Sequence, residues 1–336
     1  MRSWCVVVPR ERGEEIRRLL KARGVLQKHL KVTEASGQLF LPTAERVDVG
    51  WPTEERECEE AFTPIRSYKD IARVPEELRP QLPTSFDVIG DIAVLKIPEA
   101  LRPHREEIGR AILRANPKLR VVAHDRGVAG AFRVRDLEIL AGERRTTTVH
   151  TEFGLRYHVD VARAYFSPRL GRERLRVAEQ VAEGEAVADP FAGVGPYAIL
   201  IARRRRAARV VASDANPAAV ELLRRNVAGN RVDRVEVREG DARLVLRAAA
   251  PLDRIVLDLP HSAMDFLPDA LAALGPRGTI HVYGILEDAD RGDRVQAIRE
   301  AAAAHGRGVE SMRVHVVRAY SPTQHHVAFD VTVGPG

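Results

Sequence analysis

Cysteine is almost missing from this chain: Cys5 and Cys58 are the only two in 336 residues. Two thiols so spaced make neither a zinc nor an iron–sulfur motif, so no metal site is expected. A disulfide between them is open, with nothing in the sequence to support it. Long apolar runs are missing too. None approaches the ~18 residues that span a bilayer, and charged residues make up 30% of the chain. The first segment, Met1-Arg-Ser-Trp-Cys-Val-Val-Val-Pro9, is too short in apolar residues for a signal peptide and reads better as a strand. A cytoplasmic protein without membrane contact is expected. Lysine is scarce as well: six against 47 arginines, none beyond Lys118. A GC-rich genome accounts for such a bias, and the functional alternative is the bidentate grip of arginine on phosphate. The net charge of +6 suits a polyanionic partner. There is no internal repeat, and no low-complexity tract beyond Arg203–Arg206, which reads as cations ending a helix.

What is present is a strand, a glycine loop and a helix. The run Glu185–Asp189 leads into Asp189-Pro-Phe-Ala-Gly-Val-Gly-Pro196, and a helical pattern follows from Tyr197. Gly193 and Gly195 permit a tight turn and close approach of a ligand, and Pro196 suits a first helical position. A dinucleotide loop would read G-x-G-x-x-G and cradle a pyrophosphate. This one stops at G-x-G and carries an acid at its head, which repels pyrophosphate and suits a cationic cofactor such as S-adenosylmethionine. An ordinary βα loop is the bland alternative.

Three further units end in the same way. Arg209–Asp214 places Asp214 to accept from ribose hydroxyls, Arg234–Asp241 places Asp241 near an adenine amino group, and Arg254–Asp258 closes with Asp258-Leu-Pro260. Four carboxylates at consecutive strand ends lie on the edge where open α/β sheets bind ligands, although each alone could be a helix cap. Phe191, Ala215 and Ala242, beside these acids, are expected to line the cofactor. A fifth strand, Gly278–Gly284, and a helix near Arg291–His305 precede two alternating runs, Ser311–Arg318 and His326–Val333. The gap between these runs is too short for a helical crossover and fits an antiparallel pair. A parallel sheet closed by an antiparallel pair is the pattern of class I methyltransferases, which sets the expected fold class: α/β, a Rossmann-like sheet so closed, with two smaller N-terminal α/β domains.

Those domains are placed at 1–62 and 70–150, with the catalytic domain at 151–336. The first starts with a strand near Cys5–Val8 and a helix over Glu11–Arg23, and its acidic run Glu54–Glu60 reads as a solvated face. The second holds a strand pair over Asp87–Ile97 turning at Gly90 and a helix over Pro103–Asn116. Arg133 and Arg135 alternate with Phe132 and Val134, so both are expected on one face of a strand.

Three blocks carry a resemblance: Arg144–Gly154, the glycine loop and, most specific, Val159-Asp-Val-Ala-Arg-Ala-Tyr-Phe-Ser-Pro-Arg-Leu-Gly-Arg-Glu-Arg174. With them the chain resembles the archaeal and eukaryotic tRNA guanine-N1 methyltransferases that act on the base 3′ of the anticodon (tRNA position 37). The resemblance implies S-adenosylmethionine as cofactor and tRNA as partner, with Glu173 as the general base, Arg133 on guanine O6 and Arg174 on the cofactor. Tyr165 is expected to stack on the flipped guanine or beside the cofactor; a core aromatic is the equal alternative. Arg135, Arg169 and Pro260 are expected on the substrate side, and the N-terminal domain on a distant part of the tRNA. One departure stands out. The family has Asn-Leu-Pro where this chain has Asp258-Leu-Pro260, and an ionised Asp only accepts hydrogen bonds. A monomer is expected.

The rival readings are the 3-amino-3-carboxypropyl transferase of wybutosine synthesis, a dual enzyme that also methylates the later tricyclic base, and a non-catalytic RNA-binding protein. The Ser167-Pro-Arg-Leu170 core favours the methyl-transfer branch, and the acids at four strand ends speak against a non-catalytic protein.

Overall fold

The structure, a computed structural model, describes residues 1–61, 67–130, 132, 134–205 and 209–336. Arg133 and Arg206, both singled out above, lie outside the described residues. The chain divides into two compact units, Met1–Asp70 and Ile71–Gly336.

In the first unit, β1 (Arg2–Pro9) is flanked by β3 (Gln38–Thr43) and β4 (Thr53–Glu57), with β2 (Thr33–Ala35) outermost beside β3 and every pairing antiparallel. β1 is a continuous apolar run because both of its faces are covered. Val6 and Val8 pack with Ile16 and Leu20 of α1 (Gly13–Ala22), while Cys5 and Val7 pack with Leu30, Phe40 and Cys58. The two cysteines are free thiols with sulfurs 3.4 Å apart. Burial, with Cys58 adjacent, pushes the Cys5 thiol up to about 12. The acidic run is more than a solvated face: Thr53–Glu57 pairs with β1 as an edge strand, a place where charged side chains are tolerated and discourage edge-to-edge association.

The second unit opens with a four-stranded sheet, β5 (Asp87–Ile89), β6 (Ile92–Leu95), β7 (Val121–Ala129) and β8 (Val134–Gly142), in that order. Gly90 turns β5 into β6 at φ +57°, and a Cβ there would collide with Thr148. β6 and β7 are parallel, so a crossover must join them. It carries α2 (Arg105–Ala115), whose Ile108 and Ile112 are buried. A hairpin of β9 (Thr147–Glu152) and β10 (Leu155–Asp160) follows, turning through Phe153 and Gly154, both at positive φ.

The seven-stranded sheet then forms in sequence with its helices: α3 (Gly171–Gln180), β11 (Ala186–Asp189), α4 (Pro196–Arg204), β12 (Arg209–Asp214), α5 (Pro217–Gly229), β13 (Val235–Glu239), α6 (Ala242–Ala249), β14 (Leu252–Leu257), α7 (Leu267–Ala273), β15 (Leu274–Glu287), α8 (Arg291–Ala304), β16 (Arg307–Ala319) and β17 (Gln324–Pro335). Its order is β13-β12-β11-β14-β15-β17-β16, parallel through β15, with β17 antiparallel to both neighbours. The expected sheet and its antiparallel closure are therefore present. β11, β12 and β13 step one way and β14 and β15 the other. The point of reversal, between β11 and β14, is where such sheets hold ligands.

Candidate active site

The sheet order sets the four acids side by side. Asp189 ends β11, Asp214 ends β12, Asp258 follows β14 directly and Asp241 lies two residues beyond β13. Their surroundings differ. Asp189 is fully buried, and neither of its oxygens has a side-chain partner; the backbone amides of Phe191 and Ala198 favour its charged form. Burial, reinforced by the charges of Asp258 and Asp214, pushes its carboxyl up to about 8. A buried acid so perturbed at a sheet switch point is a candidate ligand-binding group. Asp258 is pushed up to about 6, again by burial first, with Arg174 pulling down and Glu173 pushing up. Asp214 accepts from the Gly193 amide at 2.8 Å and the Asn216 amide at 2.8 Å, which braces the glycine loop; burial raises its carboxyl too. Asp241 is the N-cap of α6, accepting from the Arg243 amide at 2.7 Å. It takes the capping role that each of the acids might have had.

The loop is built as its sequence requires. Gly193 and Gly195 sit at φ +55° and +92°, Gly195 is the left-handed residue before α4, and Pro196 takes the first turn. Phe191 meets Phe266 edge-on, with ring centroids 4.8 Å apart. Ala215 is exposed beside Asp214, whereas Ala242 is buried at the start of α6. The buried Asp189, the raised Asp214 and the glycine backbone between them fit a ligand with a cationic end and a ribose.

Glu173 opens α3 and is 3% exposed. Its carboxylate is held on three sides: Arg176 donates Nε to Oε2 at 2.8 Å and Nη2 to Oε1 at 2.7 Å, and the Tyr283 hydroxyl donates to Oε1 at 2.6 Å. The Tyr197 hydroxyl donates in turn to Tyr283 at 3.2 Å. Arg176 also pairs with Asp330, which takes a further bond from Gln180 at 3.0 Å. His281 Nε2 lies 2.9 Å from Arg254 Nη1, a group that only donates. Its proton therefore sits on Nδ1, 2.7 Å from Asp330. Sequence reasoning missed this network. Its signal was there in polar residues, His281, Tyr283 and Asp330, set inside otherwise apolar strands.

The other expected site residues divide. Tyr165 is half exposed, as a stacking residue needs and a core aromatic does not. Arg174 is 2% exposed and gives Nη1 to Glu152 at 2.7 Å and Nη2 to the Ser167 carbonyl at 2.7 Å, which leaves Nε free. Arg135 is paired with Asp87 at 3.3 Å, and Arg169 with the same carboxylate at 2.5 Å. Arg135 is nearly buried, whereas Arg169 stays 47% exposed beside the carboxylate they share. Pro260 is half-buried after Asp258. His326 lies 3.9 Å from Asp258 with an unpartnered Nε2, and burial pushes its ring down to about 4. Among the described residues there is no cluster that could hold a metal and no helix long and apolar enough to cross a membrane.

Comparison with known proteins joins these observations. Residues 148–310 match the TRM5/TYW2 methyltransferase domain, residues 69–146 the TYW2 N-terminal domain and residues 5–49 the tRNA methyltransferase 5 N-terminal domain. The tRNA (guanine(37)-N(1))-methyltransferase Trm5b of Pyrococcus abyssi is 41% identical over 98% of each chain. The chain belongs to the TRM5/TYW2 methyltransferase family. The crystal structure of Trm5b from Pyrococcus abyssi superposes with a TM-score of 0.77 at 40% identity over 99% of both chains. That of aTrm5 in complex with tRNALeu superposes with a TM-score of 0.76 at 31% identity, over 98% of this chain and 99% of the other. As a TRM5/TYW2 enzyme the protein is a methyltransferase, and the family implies S-adenosylmethionine as its methyl donor.

Proposed function

We propose that the protein transfers a methyl group from S-adenosylmethionine to N1 of guanosine 37 of tRNA. The observation that carries this reading is a buried, ionisable Glu173 beside a sheet edge whose head acid, Asp189, has no side-chain partner. The match of residues 5–49 to a tRNA methyltransferase 5 N-terminal domain favours it over aminocarboxypropyl transfer.

S-adenosylmethionine supplies an electrophilic methyl on a sulfonium. Asp189 and Asp258 receive its cationic end, Asp214 its ribose, and the backbone around Gly193 and Asp241 its base. Ala215, Phe191 and the free Nε of Arg174 complete this pocket. The guanine N1 proton must leave as the new bond forms, and Glu173 takes it. Oε2 is the oxygen for that task, because it accepts one bond, from Arg176 Nε, where Oε1 accepts two. Arg133 stabilises the charge that develops on O6, Tyr165 supports the extruded base, and Pro260 lines the same side. Asp258, in place of the family Asn, can donate to the base only when protonated. With its carboxyl raised to about 6, Asp258 is still mostly ionised near pH 7, which fits the acceptor of the cofactor's cationic end. Three domains, 1–62, 70–150 and 151–336, a monomer and a cytoplasmic setting complete the reading, with residues 1–62 gripping tRNA away from the anticodon.

The test is incubation with a tRNA transcript and methyl-labelled cofactor, followed by nuclease digestion and mass analysis. One methyl on guanosine 37, lost when that base is changed to adenosine, is the expected result. No methyl, or the larger aminocarboxypropyl group, would overturn the reading.

A further inference from the structure

Strand β16 departs from regular pairing at two points, and the second re-aims a side chain. His315 pairs with Ala328 and Val316 with Val327, but the next pair is Arg318 with His326. Val317 is the extra residue of a bulge. Strict alternation from His315 would put residue 317 on the face of His315 and His326, and Arg318 on the opposite face. Val317 does stay packed against the Tyr283 and Ala328 side, and the bulge brings Arg318 onto the same face, where His315 lies 3.7 Å from Glu173 and His326 lies 3.9 Å from Asp258. Arg318 is not spent there: among the described residues it makes no ion pair, and its Nε is buried without a hydrogen-bond partner. Its charge acts on Asp258 and Tyr165. Two residues on, Tyr320 is 47% exposed, with the Arg318 guanidinium 5.9 Å from its ring centroid and the His261 ring edge-on at 6.3 Å. His261 itself follows Asp258-Leu-Pro260.

We propose that Arg318 and Tyr320, with His261 buttressing the ring, form a subsite for the nucleotide next to the target guanosine: Tyr320 stacks on its base and Arg318 holds its phosphate. This rests on the tRNA reading above. Extruding a base costs its stacking on both neighbours. An exposed aromatic beside the site offers a replacement face, since base–aromatic stacking tolerates any base. A planar guanidinium with open donors matches a phosphate. The ordering is physical: the bulge puts the cation at the acid cluster, and the hairpin end puts the ring one step outward.

The test uses the full chain with tRNA transcripts, measuring tRNA affinity at fixed salt and cofactor affinity by calorimetry. Tyr320→Ala should weaken tRNA binding about 5- to 100-fold, and Tyr320→Phe should stay within about twofold of wild type, because stacking needs the ring and not the hydroxyl. Arg318→Ala should weaken binding and lower the slope of log affinity against log salt by about one phosphate contact. Cofactor affinity should not move in either Tyr320 variant. With transcripts made abasic on one side of the target or the other, one should bind wild type more weakly yet bind Tyr320→Ala no worse than the intact transcript. Wild-type affinity in both alanine variants, or losses that add fully for both abasic transcripts, would overturn the subsite. Wild-type methyl transfer to the same transcript keeps that failure distinct from a failure of the proposed function.

Discussion

Asp189 and Asp330 are both buried aspartates of one sheet, 0% and 6% exposed, and their surroundings are opposite. Asp330 is ringed by Arg176, Gln180 and His281, which hold its carboxyl far below the usual range despite burial. Asp189 has no side-chain partner, and burial lifts it to about 8 against the pull of the Phe191 and Ala198 amides. The network around Asp330 spends every donor on fixing Arg176, and through it Glu173, in one place. The edge around Asp189 leaves a desolvated acid with no comparable side chain to hold it. Asp330 is an acid held by its neighbours and Asp189 one that its neighbours leave open.

The sharpest break in that comparison is at Glu173. Glu173→Gln keeps the size and the helix position but cannot take a proton. Single-turnover methyl transfer at saturating tRNA and cofactor should fall by about 10²–10⁴, with both affinities little changed and partial recovery as pH rises. A wild-type rate would move the base elsewhere, with Asp258 the next to examine. Asp330→Ala comes next, since it strips a buried partner from Arg176 and His281. It should cost about 3–5 kcal/mol of stability, read as a lowered denaturant midpoint with an unchanged slope. An unaltered midpoint would show the network to be dispensable. Asp214→Ala should weaken cofactor binding by ~1.5–3 kcal/mol for each lost charge-assisted bond, measured by calorimetry. Unchanged affinity would remove Asp214 from the ribose.

The smallest effect is on stability at Asp189. Its folded carboxyl is raised above the unfolded value, so it favours folding while protonated and opposes it increasingly as pH rises from about 4 towards 8. Asp189→Asn should therefore raise Tm over wild type at pH 8 by a few degrees, with little difference at pH 4, while cofactor binding is lost. A Tm difference independent of pH would mean the carboxyl is not the strained group.

Much of this site could be read in the sequence because it sits where patterns change. Asp189, Asp214 and Asp258 close apolar runs, and apolar runs on a covered sheet are strands. The Ser311–Arg318 and His326–Val333 alternation gave the antiparallel closure. Glu-rich β4 was hidden, because charge conceals an edge strand. Asp241 was ambiguous in principle, since a strand-end acid before a helix is also a cap. The pairing of Arg135 and Arg169 with Asp87 was not legible at all: the partners lie 48 and 82 residues away in sequence. The same holds for Arg176 and Asp330, 154 residues apart. The β16 bulge leaves no trace in composition, yet it decides which face Arg318 takes.

The claim that Asp189, without a side-chain partner, receives a cation is tested most directly by cofactor affinity against pH. A cationic ligand binds the ionised carboxylate, so below pH 8 each binding event must expel a proton. Titration calorimetry of wild type from pH 6 to 8, in buffers of different ionisation enthalpy, should show proton release. The Kd should tighten by up to about tenfold per pH unit and level off near pH 8, where an α-amino group of the ligand begins to lose its own charge. A Kd that stays flat across this range with no proton released would contradict the account.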